Sequence, residues 1–383
     1  MILFKNANVV FENRIERCNV LTGNGKIIKI TNEPITADNV IDCTSLYLAP
    51  GFIDLHVHGG GGCSLMDESS ENIKKALLAH ANHGTTSILP TMLSSPEDIL
   101  IDTAKKYTKI AREFTDCNIL GVHFEGPYLS PYMSGAQNGE SILPVNENSP
   151  LLDVENLKMI TVAPELPSAD ILAKKFRDRG VTVAAGHTCA DFDEMEEAVK
   201  NGFSDFTHLY NASVSSHKEG AFRVAGAVEA ALTNDGCTVQ VIGDLRHLPL
   251  GLVRLIYKCK GAEKAYFITD GLEFSATNLT DGDRITQANG VVAVYKDGVM
   301  MTEDLSRLAG SASSMDILIK NAVEKVKIPL VDAVKMASST PARVIGVDTR
   351  KGYIRENYDA DIVLFDEHVN IKKVMVNGKI IKE

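Results

Sequence analysis

The sequence PGFIDLHVHGGGG at residues 50–62 is the stretch that decides the fold. In it, a short apolar run at 52–55 is followed at once by His56, His58 and four consecutive glycines. A short apolar run bounded by proline and glycine is typical of a buried strand. Because side chains alternate along a strand, both imidazoles point to one face, which suits two ligands of one divalent metal ion. The motif alone does not exclude the alternative that the two histidines are only hydrogen-bonded inside a barrel and bind no metal.

The same kind of apolar run recurs through the central part of the chain, and segments with apolar residues at helical spacing fall between the runs. The eight runs occupy residues 52–55, 86–89, 119–122, 159–162, 181–184, 205–208, 239–242 and 266–269. Helices are predicted at 71–82, 97–114, 168–178, 191–200 and 249–260, with further helices between 311 and 345. Alternating strands and helices predict a parallel sheet, and eight such strands close into a (β/α)8 barrel of the TIM type. We therefore predict an α/β protein with this barrel at residues 51–345.

Both ends of the chain have a different character, because short β-like runs there are separated by turn signals. The runs are VVFE, NVLT, KIIKIT and LYLAP before residue 51, and GYIRE, DADIVLFD, IKKVMVN and GKIIKE after residue 351. We predict that residues 1–50 and 346–383 build one small, discontinuous β-sandwich domain beside the barrel. The segment 273–310 interrupts the alternation of strands and helices, and we predict strands and loops there.

The composition limits the classes of partner. The chain has 383 residues, 44% of them hydrophobic and 23% charged, which is ordinary for a soluble globular protein. The net charge of -11 argues against nucleic acid or an anionic membrane as the main partner. Seven cysteines without a CxxC pair predict reduced thiols. The sequence shows neither a basic leader with an apolar core nor a run of about 20 apolar residues, so we predict a cytoplasmic protein without a membrane span.

Polar residues follow the predicted barrel strands, where barrel active sites form. They are His56, His58, His123, Glu125, His187, His208, Asp244 and Asp270. Such a joint occurrence predicts a metal centre, since buried imidazoles need partners wherever no metal supplies one. A metal ion on these ligands lowers the pKa of bound water and so creates a nucleophile for hydrolysis. Asp270 is placed to take the proton of that water, the alternative being a carboxylate that caps the turn before Gly271.

Six motifs in this order, with the closing stretches ASSTPARVIGV at 337–347 and DADIV at 359–363, resemble the N-acetylglucosamine-6-phosphate deacetylase family of the amidohydrolase superfamily. The motifs are PGFIDLHVHGGGG, GVHFEGPYLSP, AGHT, THLYNA, ITDG and LAGSA. The resemblance spans nearly the whole chain. It implies metal-dependent hydrolysis of the acetamide of N-acetylglucosamine 6-phosphate, which gives acetate and glucosamine 6-phosphate.

The resemblance also implies a ligand set. Glu125, His187 and His208 would hold the main ion, and Asp270 would be the general acid and base. His56 and His58, which some members of the family lack, would bind a second ion with Glu125 as the bridge. One or two divalent ions are expected, with zinc or iron favoured, although such ligands also suit cobalt and nickel.

The family's substrate contacts have counterparts here, with two departures. The implied contacts are Ala136, Gln137, Asn211, Ala212, Lys218, Arg223, Arg246, His247, Leu308, Ala309 and Gly310. Gln137 stands where the family usually has a histidine, so it can donate a hydrogen bond but carries no charge. Lys218 stands where the family has an arginine that binds phosphate, and lysine lacks the planar fork of arginine. In the family this basic loop reaches the active site of a neighbouring subunit, which implies a homodimer. Solvated surface charge is the alternative for Lys218, Arg223 and Arg246.

Other functions stay open from the sequence. The nearest alternative is deacetylation of N-acetylgalactosamine 6-phosphate, because the choice of epimer depends on one hydroxyl contact. Gln137 and the altered phosphate loop also allow an amidohydrolase that acts on an N-acyl amino acid or a cyclic amide. A third hypothesis is a catalytically silent scaffold that has kept the barrel, and the complete ligand set together with Asp270 argues against it.

Overall fold

A computed structural model describes residues 1–287 and 290–382. Its centre is a barrel to which the described chain contributes eight parallel strands, each paired with the next along the chain. These strands are Phe52–Val57, Thr85–Met92, Val122–Glu125, Leu157–Val162, Thr182–Ala185, Asp205–Phe206, Thr238–Ile242 and Ala265–Ile268. The predicted α/β barrel class is thereby confirmed.

The barrel closes between its last and first strands through the residues that follow them. The backbone N–H of Asp270 donates to the carbonyl oxygen of His56 at 2.9 Å, and that of His58 donates to the carbonyl of Gly271 at 2.8 Å. Closure therefore brings Asp270 next to the His-x-His pair, although more than 200 residues separate them in the sequence.

The third barrel strand begins later than the sequence predicts. The predicted run at 119–122 is divided into a short strand, Asn118–Ile119, and the barrel strand Val122–Glu125. Gly121 lies between them with a φ of 144°, and a Cβ there would stand 2.6 Å from the carbonyl oxygen of Asn156. The backbone needs glycine at this close approach. The barrel strand therefore begins after Gly121 and ends at Glu125.

The helices surround the barrel close to the predicted positions. They are Ser70–Asn82, Glu97–Glu113, Ala169–Asp178, Phe192–Lys200, Ala227–Thr233, Leu250–Lys264, Met315–Asn321, Leu330–Ala337 and Ser339–Val344, with a π-helical turn at Ala322–Val326 and 3-10 turns at Pro131–Met133, Gly139–Ser141 and Pro150–Asp153. Glu97–Glu113 shows why they pack, since its buried residues, Leu100, Tyr107 and Ile110 among them, recur every three or four positions. Within the described ranges no helix is long and apolar enough to cross a membrane.

Strands from both chain ends form one sheet beside the barrel. They are Ile2–Val10, Ile15–Gly23, Lys26–Thr31, Asn39–Asp42, Tyr47–Pro50, Ile362–Phe365, Ile371–Val376 and Lys379–Lys382. Ile362–Phe365 joins the two ends by antiparallel pairing with Tyr47–Pro50. The sheet has its own hydrophobic core, which includes Phe4, Val20 and Leu364. The predicted strand at 352–356 was wrong, because Gly352, with a φ of 84°, packs closely against the helix at Ser339–Val344 instead.

Three smaller antiparallel sheets of the described chain lie outside the barrel sheet and the terminal sheet. A four-stranded antiparallel sheet, Arg284–Thr286, Val292–Lys296, Val299–Thr302 and Leu308–Gly310, arises from the segment read as strand and loop, of which residues 288 and 289 lie outside the described residues. Two further hairpins pair His217–Glu219 with Phe222–Val224, and Gly59–Gly60 with Cys63–Ser64.

Candidate metal centre and active site

Two groups of potential metal ligands meet at the carboxyl ends of the barrel strands and share Glu125. One contains His56, His58 and Glu125, and the other contains Glu125, His187 and His208. Glu125 Oε1 lies 3.1 Å from His187 Nε2, 3.0 Å from His208 Nε2 and 3.3 Å from His56 Nε2, whereas Oε2 lies 3.4 Å from His58 Nε2. All five side chains are buried, so the carboxylate stands at the centre of four imidazoles.

Hydrogen bonds at the far side of three of the four rings fix which nitrogen faces Glu125, whereas Nδ1 of His208 has no hydrogen-bond partner among the described residues. His56 Nδ1 donates to Gln240 Oε1 at 2.9 Å, and His187 Nδ1 donates to the carbonyl oxygen of Met133 at 2.8 Å. His58 Nδ1 likewise donates to the carbonyl of Thr91 at 3.2 Å. Because these partners are acceptors, each of these Nδ1 atoms carries a hydrogen, and each Nε2 is left to bind either a proton or a metal ion.

This arrangement fits a cation. His56 Nε2 and His58 Nε2 are only 3.1 Å apart, and so are His187 Nε2 and His208 Nε2. Two facing lone pairs repel each other unless a proton or a metal ion lies between them. Imidazole nitrogens with one carboxylate are a donor set that zinc and iron share. The residues present therefore fit one or two divalent ions.

The electrostatics lead to the same conclusion. Burial raises the pKa of Glu125, but the positive charge of His56 and the hydrogen bonds from His187 and His208 outweigh it and hold the pKa well below its usual value. Burial lowers the pKa of His56, yet the Glu125 and Asp270 carboxylates raise it to about 9. The centre thus holds ionised carboxylates that require positive charge at their imidazole neighbours.

Asp270 lies against the His56 and His58 pair. Its Oδ1 is 3.2 Å from His58 Nε2 and 3.5 Å from His56 Nε2. Burial raises the pKa of Asp270, but the hydrogen bond with His58 and the charges of His56, His58 and His208 more than offset this and lower it. Asp270 is therefore an ionised carboxylate, ready to accept a proton beside the metal centre.

His247 and Asp244 form a second polar pair in the same mouth. His247 Nδ1 lies 2.7 Å from Asp244 Oδ2, and the other oxygen of Asp244 accepts the backbone N–H groups of Arg246 and His247. Burial lowers the pKa of His247, but the hydrogen bond and charge of Asp244 raise it overall. This pairing orients the imidazole, whose side chain is 3% exposed, at the cavity wall.

A cavity of about 410 Å³ opens above these groups. Most of the sequence-derived candidates contribute to its wall, namely His58, Glu125, Ala136, Gln137, His187, His208, Asn211, Ala212, His247, Asp270, Leu308, Ala309 and Gly310. His56 is fully buried and belongs to the centre without lining the cavity. The Gln137 amide is already bonded, since Nε2 donates to Glu125 Oε2 and Oε1 accepts the N–H of Ser94 at 2.9 Å. It thereby supports the carboxylate shared by the two ligand groups.

The three basic residues that the sequence suggested for phosphate binding do not line this cavity. Lys218 and Arg223 pair across the exposed hairpin and are not part of the cavity wall of their own chain. Arg246 is exposed, and its guanidinium lies close to Gly298 outside that wall.

Sequence reasoning missed several residues of the cavity wall, among them Tyr132, Tyr210, Gln287 and Arg307. Arg307 directly precedes the Leu308–Gly310 strand, so its position next to a family motif was the available signal. Gln287 had no signal, because it lies in a segment without a recognisable motif.

Comparison with known proteins agrees with this geometry. Residues 47–381 match the model of the amidohydrolase family. The chain therefore belongs to the amidohydrolase family, as the sequence motifs predicted.

Several relatives of this chain are named as sugar-phosphate deacetylases. The chain is 32% identical to the N-acetylglucosamine-6-phosphate deacetylase of Lysinibacillus sphaericus, with 99% of this chain and 97% of the relative covered. It is 30% identical to the N-acetylgalactosamine-6-phosphate deacetylase of Escherichia coli O157:H7, with 91% of each covered. The crystal structure of the N-acetylglucosamine-6-phosphate deacetylase from Pasteurella multocida superposes with a TM-score of 0.92 at 30% identity over 100% of both chains.

Proposed function

We propose that this chain is a metal-dependent N-acetylglucosamine-6-phosphate deacetylase that releases acetate and glucosamine 6-phosphate. The observation that carries the proposal is the carboxylate of Glu125, shared by two imidazole pairs and adjacent to the ionised Asp270. The cavity of about 410 Å³ above it is in the size range of small-molecule sites. The names of the relatives support the substrate class.

Glu125, His187 and His208 would hold the main ion, and His56 and His58 would hold a second one with Glu125 as the bridge. A divalent ion bound there would polarise the acetamide carbonyl and lower the pKa of a bound water. We propose zinc or iron, two ions that this donor set suits and that the sequence analysis favoured.

Asp270 is proposed as the general base and then the general acid. It accepts a proton from the water that attacks the acetamide carbon, and it gives this proton to the leaving nitrogen as the C–N bond breaks. The second proton of the water also passes to the amine, so the products are acetate and the ammonium form of the amino sugar phosphate, and atoms and charges balance. His247, oriented by Asp244, offers an imidazole N–H for a hydrogen bond to the substrate.

The loop and strand segments around the cavity would bind the sugar. Ala136, Asn211, Ala212 and the Leu308–Gly310 strand contribute backbone and amide groups to its wall. Gln137 would support Glu125 and leave direct contact with the sugar to its neighbours. Lys218 and Arg223 would serve the neighbouring subunit of a homodimer. The dimer and a cytoplasmic location stay predictions.

N-acetylgalactosamine 6-phosphate is the second candidate substrate. The relative from Escherichia coli O157:H7, 30% identical over 91% of this chain, is named for that epimer.

The deciding experiment measures acetate release from both sugar phosphates and from unphosphorylated N-acetylglucosamine, together with the metal content of the same preparation. We expect one to two divalent ions per chain and the highest kcat/KM for N-acetylglucosamine 6-phosphate. Failure of metal-replete protein to hydrolyse any of these sugars would refute the proposal and direct attention to N-acyl amino acids and cyclic amides.

A further inference from the structure

Arg307 is, within the described residues, the one lysine or arginine in the cavity wall. It directly precedes Leu308–Gly310, the last strand of the four-stranded sheet. Its Nη1 donates to the carbonyl oxygen of Gly135 at 2.9 Å, which connects two segments of the cavity rim. The side chain is exposed, whereas Glu125 and the imidazoles are buried. The cation is thus at the mouth and the anionic carboxylates are at the floor.

This polarity matches a substrate with an acetamide at one end and a phosphate at the other. A phosphate dianion is repelled by Glu125 and Asp270 at the floor and attracted by a guanidinium at the mouth, which binds it through charge-assisted hydrogen bonds. The other cations that the sequence suggested, Lys218, Arg223 and Arg246, are not part of the cavity wall of their own chain. Arg307 also has N–H groups beyond the one that Gly135 accepts.

We propose that Arg307 binds the phosphate of the substrate within the same subunit and sets the preference for a phosphorylated sugar. This inference rests on the proposed deacetylase function. It gives the phosphate a contact within the same subunit, besides the contact that the hairpin of a neighbouring subunit would supply through Lys218.

The test compares kcat/KM for N-acetylglucosamine 6-phosphate and N-acetylglucosamine in wild type, Arg307→Gln and Arg307→Lys. We expect Arg307→Gln to lower kcat/KM for the phosphorylated sugar by about 10- to 200-fold and to change that for the unphosphorylated sugar by less than about 2-fold. Arg307→Lys keeps the positive charge but lacks the planar guanidinium, so kcat/KM for the phosphorylated sugar should fall less than in Arg307→Gln. The matched control is Arg284→Gln, since Arg284 lies on the same small sheet but pairs with Glu303 outside the cavity wall.

An equal loss on both sugars, or no loss on either, would overturn the role of Arg307. If Lys218→Gln, and not Arg307→Gln, removes the phosphate preference, the phosphate is bound by the hairpin. A wild-type enzyme without any phosphate preference would instead refute the proposed substrate. Mixing Arg307→Gln chains with Asp270→Asn chains adds a second readout. Action within one subunit predicts no recovery of activity, whereas recovery would mean that Arg307 acts across a dimer.

Gln287 carries a second, independent inference. It is 3% exposed and contributes to the cavity wall, yet both Nε2 and Oε1 lack a hydrogen-bond partner among the described residues. Buried amides are almost always bonded, so an amide that is unpaired at a cavity wall points to a ligand. Its adjacent donor and acceptor complement a hydroxyl, which both donates and accepts. We infer that Gln287 binds a ring hydroxyl of the sugar.

Gln287→Met keeps the length of the side chain and removes both polar atoms. We expect kcat/KM for N-acetylglucosamine 6-phosphate to fall by about 10- to 100-fold, with metal content unchanged. The 3-deoxy and 4-deoxy analogues identify the hydroxyl, because the substitution should cost little for the analogue that lacks it. The same loss for every analogue would contradict a hydroxyl contact, and so would no loss with the natural substrate.

Discussion

His187, His208 and Asp270 have left-handed backbone conformations, with φ values of 47°, 28° and 48°. Such a conformation costs a residue other than glycine about 1–3 kcal/mol, and it is found where a fold holds functional side chains in place. Backbone hydrogen bonds provide that restraint, as where the N–H of Thr188 donates to the carbonyl of Ala212 at 3.1 Å. The turns at these strand ends thus direct the side chains toward Glu125.

The role of Asp270 is tested by Asp270→Asn. The amide keeps the shape of the side chain but cannot take a proton, so we expect kcat to fall by about 10²–10⁴-fold. Metal content and the thermal transition should change little, because Glu125 and the histidines are retained. Turnover within a few-fold of wild type would exclude Asp270 as the proton shuttle.

Gln240 is a positioning residue for His56. Its Oε1 accepts from His56 Nδ1, and its Nε2 donates to Asp205 Oδ2 at 2.8 Å, which fixes the orientation of the amide. We expect Gln240→Met to weaken binding at the His56 and His58 position by about 10- to 100-fold. Metal content during dialysis against a chelator measures this, with the ion on His187 and His208 as the internal control. Equal loss of both ions, or of neither, would contradict the prediction.

At the scale of elements, the segment after the last barrel strand covers the glycines after the first. Gly62 donates its backbone N–H to the carbonyl of Glu273 at 2.7 Å, and a Cβ on Gly59 would stand 2.6 Å from the Glu273 backbone. Gly59 therefore allows the two segments to pack closely, and the Glu273 side chain is buried, with Oε2 unpaired among the described residues.

This packing predicts a pH dependence of stability. Burial raises the pKa of Glu273 from 4.5 to about 7, with the hydrogen bond from Ser64 and the charge of His58 opposing the shift. The unfolded chain therefore loses this proton first, and the wild type loses stability as the pH rises from 4.5 to 7. We expect the stability of Glu273→Gln relative to wild type to increase by about 3 kcal/mol over this range.

Urea unfolding at pH 5 and pH 7.5 measures this difference. Glu68→Gln is the control, since Glu68 is exposed, and its effect should be the same at both values. If Glu273→Gln showed an equally flat profile, Glu273 would be ionised in the folded protein at neutral pH.

At the scale of the whole molecule, a buried ion pair connects the terminal sheet to the barrel. Lys351, 2% exposed, pairs with Asp361 and, at 3.0 Å, with Asp359. Asp361 also accepts from the side chain of Asn118 at 3.2 Å, and its carbonyl accepts from Gly51. The cluster therefore joins the strand that returns from the barrel to the point where the first barrel strand begins.

Removing the cation from this cluster should destabilise the fold. We expect Lys351→Met to lower the free energy of unfolding by about 3–5 kcal/mol, because it leaves buried carboxylates without their partner. Lys26→Met is the matched control, since the half-exposed Lys26 also pairs with Asp359 and should cost at most about 1 kcal/mol. Thermal unfolding of both variants measures the contrast, and equal effects would show that burial does not govern this cluster.

The sequence by itself determined the barrel and the order of its strands, and it predicted the residues that we propose for the metal centre. Each of these is local information, because a strand is marked by its own apolar run and a ligand by its place at the end of that run. The tertiary structure alone decided which side chains face one another across the cavity. It showed Glu125 between four imidazoles, Gln137 bonded to that carboxylate, Arg307 at the mouth, and Lys218 outside the wall of its own chain. These contacts depend on barrel closure and on loops packed from distant parts of the chain, and residue spacing does not encode such long-range geometry.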